Sequence, residues 1–139
     1  MDRTQHPEFE LVRWAAESLD EKERAEATVY TSGEHCPMCS AAYAWAGLGP
    51  IVYAVSGATL AVWQKEWDVP ASPVAGLGVD QVAPHVPTRG PFPLLEDTMK
   101  ALHHRVRRTL TEAASPGRER PFVGDRPFEV GSTALCPAG

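Results

Sequence analysis

Four residues in two short pieces of the chain have the types and spacing for metal chemistry: His6 and Glu8 in His6-Pro7-Glu8, and Cys36 and Cys39 in Cys36-Pro37-Met38-Cys39. A Cys-x-x-Cys pair at the start of a helix places both sulfurs near free backbone N–H groups and the positive end of the helix dipole. That setting favours the thiolate, the form that binds metal. A histidine from a second helix start completes a set of His6, Cys36 and Cys39. Such a set leaves one position of a tetrahedral zinc ion open for water, the arrangement of a catalytic rather than a structural site. Zinc brings the pKa of a bound water toward neutrality. Glu8, two residues after His6, is then placed to move protons without ligating the ion. Alone, the cysteine pair reads equally as a redox couple or as half of a structural zinc site. The His-x-Glu piece is what favours the open catalytic site.

The elements that must position these residues can be read from periodicity. Pro7 to about Leu19 reads as a helix with proline at its first position, and Asp20 to Glu26 as its charged, exposed end and loop. Ala27 to Thr31 is short, apolar and β-branched, and predicts a buried strand. Ser32 to His35 form a turn. Pro37 to about Gly47 predicts a second helix, Ile51 to Val55 a second strand, and Ser56 to about Trp67 a third helix capped by Ser56. A short strand is expected near Val79 to Ala83, and a last helix from Leu94 to about Leu110. This alternation predicts an α/β fold, three layers around a mixed sheet. Residues 1–110 read as one domain and 111–139, rich in Pro, Gly, Arg and Glu, as a tail.

Composition narrows the function classes. A chain of 139 residues supports one core. Its net charge of −5 argues against a dedicated polynucleotide binder. Three cysteines, two of them closely spaced, make a poor disulfide framework and point to a reducing compartment. No apolar run spans a bilayer and no signal-peptide core opens the chain, so a cytoplasmic protein without a membrane partner is expected.

Together the two half-motifs match the His-x-Glu … Cys-x-x-Cys signature of the zinc deaminases. Over roughly residues 2–110 the chain resembles the cytidine/deoxycytidylate deaminase superfamily. The run Thr31-Ser32-Gly33-Glu34-His35-Cys36-Pro37-Met38-Cys39 is similar to that of guanine deaminases and tRNA adenosine deaminase-like nucleoside deaminases. The resemblance implies zinc as cofactor and hydrolytic loss of ammonia from a purine or pyrimidine base or nucleoside. His6, Cys36 and Cys39 would be the ligands and Glu8 the catalytic residue. His35 stands where the family usually has proline. The family also has a helix and two strands before its His-x-Glu, whereas His6 lies five residues after Met1, so an N-terminally shortened fold is expected. The strand around Val29 would then be an apolar edge, which predicts a homo-oligomer or a complementing chain.

Other residues carry weaker readings. His35 reads as a loop residue lining the site or as a fourth ligand, and Glu34 as a turn carboxylate. Trp45 is suited either to stacking on a base, by analogy with guanine deaminase-like enzymes, or to core packing. Asp68 falls where related enzymes can place a substrate-reading carboxylate. Trp14, Trp63 and Trp67 read as core, the basic cluster Lys100 to Arg108 as a solvated helix face, and Cys136 as a free thiol. Two other functions stay open. One is a non-catalytic or partner-dependent zinc-binding fragment; the other is a nucleic-acid editing module.

Overall fold

In the computed structural model, which describes residues 2–113, with side chains to residue 109, the chain divides into the units Met1–Arg105 and Val106–Gly139. Pro7 opens helix α1, Pro7–Ser18, at its first position, where the missing N–H costs nothing. Residues 20–26 do not continue α1. Asp20 accepts from the Glu23 N–H at 2.8 Å while the Glu23 carboxylate accepts from the Asp20 N–H at 2.9 Å. This reciprocal cap starts a separate helix, α2, Glu21–Glu26. Strand β1, Val29–Gly33, leads to α3, Pro37–Trp45; β2, Ile51–Val55, leads to α4, Gly57–Glu66, capped by the Ser56 side chain as expected.

The next element departs from the sequence reading. Residues 79–82 form a short helix, α5, Val79–Val82, in place of the expected strand. Val79, Val82 and Ala83 recur at helical spacing, and the Gln81 side chain accepts from the Gly78 N–H at 2.9 Å, closing the first turn. The strand comes later, as β3, Thr88–Arg89. A single 3₁₀ turn, Pro93–Leu95, precedes α6, Glu96–Ala113, whose last turns, from Val106, are the described part of the second unit. The tail from residue 114 on and Cys136 lie outside the described residues.

The strands lie in the order β1-β2-β3 and both ladders are parallel, so among the described residues the sheet is parallel where a mixed one was expected. Val29 pairs with Ile51 and Ile51 with Thr88. β1 stands at one edge of this sheet, with Tyr30 78% exposed. β2 is central: Ile51, Tyr53 and Val55 are buried, and Val52 and Ala54 between them partly so, as a parallel strand covered on both faces requires. The core gathers Val12 and Ala15 of α1, Tyr43 of α3, Leu48, Ile51, Tyr53, Val79 and Ala83.

Close backbone approach at one loop fixes how the layers meet. A Cβ on Gly49 would collide with the Ala25 carbonyl oxygen, so only glycine fits between α2 and the start of β2. There the Arg24 guanidinium donates from Nε to the Ala46 carbonyl at 2.7 Å and from Nη1 to the Leu19 carbonyl at 2.6 Å. One cation thus satisfies carbonyls at the ends of α1 and α3. Of the tryptophans read as core, Trp63 is buried, Trp67 is half-buried, and Trp14 is 44% exposed because α1 turns Val12 and Ala15 inward instead. No helix among the described residues is long and apolar enough to cross a membrane.

Candidate metal centre and active site

The first turns of α1 and α3 meet, and their opening residues carry the chemistry. His6 is the N-cap of α1 and Cys36 the N-cap of α3, both in extended backbone. The His6 carbonyl accepts from the Phe9 and Glu10 N–H groups, and a turn in which the His6 N–H donates to the Thr4 carbonyl at 2.9 Å fixes its approach. Asp2 accepts from both the Thr4 hydroxyl and its N–H, hydrogen bonds that hold its carboxyl below the usual range.

Nδ1 of His6 lies 3.4 Å from Sγ of Cys36 and 3.6 Å from Sγ of Cys39, and one ligand atom from each of the three residues lies within 4.8 Å of the others. Tetrahedral zinc with ordinary Zn–S and Zn–N bonds separates a sulfur and a nitrogen ligand by about 3.6 Å. The residues therefore fit a zinc ion.

The electrostatics of the triangle also call for a cation. Burial pushes the Cys39 thiol well up, and its hydrogen bond to Cys36, the charge of Cys36 and the charge of Glu8 push it further; only the Phe9 backbone N–H pulls it down. Two sulfurs and a carboxylate crowd one spot, and a dication among them would offset that repulsion and favour both thiolates. Glu8 is half-buried in the first turn of α1, close enough for its charge to act on both Cys39 and His35.

His35 is 2% exposed, and neither ring nitrogen has a protein partner. Its ring meets Tyr43 edge-on at 5.2 Å. Burial lowers its pKa, with the charges of Glu8 and Glu34 acting against that. His35 is thus buried against Tyr43, not displayed on a loop surface.

Trp45 and Asp68 are not brought to this spot. Trp45 closes α3 at the end opposite Cys36, about 13 Å along the axis. It is 91% exposed, neither core nor neighbour of the triangle. It edges a groove of about 320 Å³ shared with Ala44, Val82, Pro84 and His85. Asp68 adopts a left-handed backbone (φ 52°) just past the C-terminal end of α4, donating its N–H to the Lys65 carbonyl. It finishes that helix about 15 Å from its start.

The residue sequence reasoning undervalued is Glu34. Its Oε2 accepts from the Gly57 N–H at 2.8 Å and its Oε1 from the Val79 N–H at 2.9 Å, the first residues of α4 and α5. The available signal was a carboxylate directly after β1, where helix starts gather beyond the ends of parallel strands.

An α/β chain with a small parallel sheet and a His/Cys/Cys triangle on two helix starts is of the cytidine deaminase-like class. The MafB19-like deaminase family matches residues 1–71, half the chain and the whole triangle with it, and the chain belongs to that family. No curated protein matches it.

Proposed function

We propose that the chain is a zinc-dependent hydrolase that removes the exocyclic amine of a purine or pyrimidine base, taken as free base or nucleoside. His6 Nδ1 and the sulfurs of Cys36 and Cys39 hold the ion, and Glu8 is the catalytic acid–base. The observation that carries this reading is the triangle, whose nitrogen–sulfur distances of 3.4 and 3.6 Å suit tetrahedral zinc.

Zinc, when bound, supplies the Lewis acidity that makes water a nucleophile at neutral pH. Cys36 and Cys39 contribute negative charge, and His6 is neutral, so the loaded centre is close to neutral overall. Glu8 takes a proton from the attacking water and delivers it to the ring nitrogen of the substrate, then passes a second proton, from the hydroxyl now on that carbon, to the departing amine. A carbon–oxygen bond forms, the carbon–nitrogen bond breaks, and ammonia leaves without any change of oxidation state. Buried His35 and Tyr43 back the first turn of α3 and hold the Cys39 side rigid. The net charge of −5 favours a small substrate over a polynucleotide.

The test is ammonia release from a panel of aminobases and nucleosides by the zinc-loaded chain beside Glu8→Gln. The variant is expected to keep its zinc and lose at least about 10²-fold in rate. Full activity in Glu8→Gln removes the assigned role. Bound zinc with no release from any substrate favours a metal-stabilised fragment.

A further inference from the structure

Glu34 is fixed at its own backbone and at both carboxylate oxygens. Its N–H donates to the Val55 carbonyl at 2.8 Å, at the end of β2. Oε2 accepts from Gly57 and Oε1 from Val79, so one carboxylate bridges the starts of α4 and α5. Negative charge is favoured at the N-terminal end of a helix such as α4. The fit is close: a Cβ on Gly78 would stand 2.9 Å from Oε1, and one on Gly57 would be 3.5 Å from Oε2. Two residues later the chain reaches Cys36. Between them, the His35 carbonyl accepts from the Ser40 hydroxyl at 3.2 Å, and the Cys36 carbonyl accepts from the Ser40 N–H at 2.9 Å.

The segment 34–36 is therefore anchored on one side by Glu34 and on the other by the first turn of α3. We propose that Glu34 is a positioning residue for the metal centre: by clasping the starts of α4 and α5 it sets where the Cys36 sulfur stands relative to Cys39 and His6. This rests on the metal-centre reading above. Glu34 itself touches neither metal nor substrate. Its carboxylate faces backbone N–H groups, and its effect reaches the centre through the two peptide units to Cys36.

The clasp can be cut from either side. Glu34→Ala removes both acceptors. Glu34→Gln keeps one carbonyl acceptor in nearly the same volume. Gly57→Pro removes one donor and sets a ring carbon against Oε2, so it opens the clasp from the helix side while the Glu34 carboxylate is kept. Proline suits the first position of a helix, and Ser56 before it is already extended (φ −73°, ψ 154°), as a residue preceding proline must be.

Zinc affinity of the full chain is measured by chelator competition, and ligand geometry by the absorption spectrum of the cobalt-substituted protein. Glu34→Ala is expected to bind zinc about 10- to 100-fold more weakly, the usual cost of losing an outer support of a metal ligand, and to shift the cobalt bands. Glu34→Gln should recover part of that loss. Gly57→Pro should weaken zinc binding in the parent, have a smaller effect in Glu34→Gln and have no further effect in Glu34→Ala.

Equal zinc affinity and an unchanged cobalt spectrum in Glu34→Ala overturn the proposal. So does a Gly57→Pro effect of the same size with and without Glu34. If Glu34→Ala does not fold, the Glu34→Gln and Gly57→Pro cycle decides alone. If the parent chain binds neither zinc nor cobalt, the metal-centre reading falls and this proposal with it. Parent binding with indifferent variants removes this proposal only.

Discussion

Tyr43 offers the most quantitative test of how the core supports the candidate site. It lies one helical turn after Cys39 on the inward face of α3, fully buried, with its ring against His35 and its hydroxyl donating to the Pro50 carbonyl at 3.4 Å. Burial pushes the phenol from its ordinary 10.0 up to about 12. Below pH 10 both folded and unfolded chains keep this proton, and Tyr43 contributes its full stability. Above 10 the unfolded chain loses the proton freely while the folded one holds it, so stability falls as pH rises through the folded value. Two pKa units correspond to about 2.7 kcal/mol in the limit, and to about 1.4 kcal/mol at pH 11, where only the unfolded state has titrated. Urea unfolding of the parent and Tyr43→Phe between pH 9 and pH 12 measures it. The other titrating groups are common to both proteins and cancel in the difference. The long hydroxyl–carbonyl bond contributes little, so Tyr43→Phe should start near the parent at pH 9 and exceed it by about 1 kcal/mol at pH 11. Parallel stability curves across this range would show that the folded phenol titrates like a solvated one, and the argument from burial would fail.

Two further predictions concern the loops that hold the helices. Gly49→Ala forces a methyl against the Ala25 carbonyl and should destabilise by about 1–3 kcal/mol, read as a lower thermal midpoint. No change would mean that the α2–β2 junction is looser than its backbone contacts imply. Arg24→Ala strips the charged donor from the Ala46 and Leu19 carbonyls and should cost about 1.5–3 kcal/mol, whereas Arg24→Lys should restore only part because it cannot reach both carbonyls at once. Full rescue by lysine in urea unfolding would refute the two-pronged contact.

The local elements of this chain are written in local chemistry. Pro7, Pro37 and Ser56 announce three helix starts, and all three helices begin there. The unbroken apolar run from Ile51 to Val55 marks a strand covered on both faces. His6, Cys36 and Cys39 stood out because metal ligation restricts residue type and spacing, and the structure brings them together; the match to the MafB19-like deaminase family spans all three. Val79 to Ala83 misled because five residues with apolar ends fit a strand and a helical turn alike; the turn wins through Gln81 and through Glu34, which lies 45 positions before Val79. Trp45 and Asp68 could be read as pocket residues in a linear string, yet Trp45 lies at the end of α3 opposite Cys36 and Asp68 just past the C-terminal end of α4.

Sequence by itself thus picked out the candidate metal ligands and most of the helices and strands that carry them, because those depend on neighbours within a few residues. Tertiary structure alone decided which ends of those elements meet. It closed the His6–Cys36–Cys39 triangle, buried His35 against Tyr43, and turned Glu34 from a turn carboxylate into a clasp between α4 and α5. Packing of α1 on α3 and the parallel register of β1 on β2 bring together residues tens of positions apart, and no local preference encodes that distance.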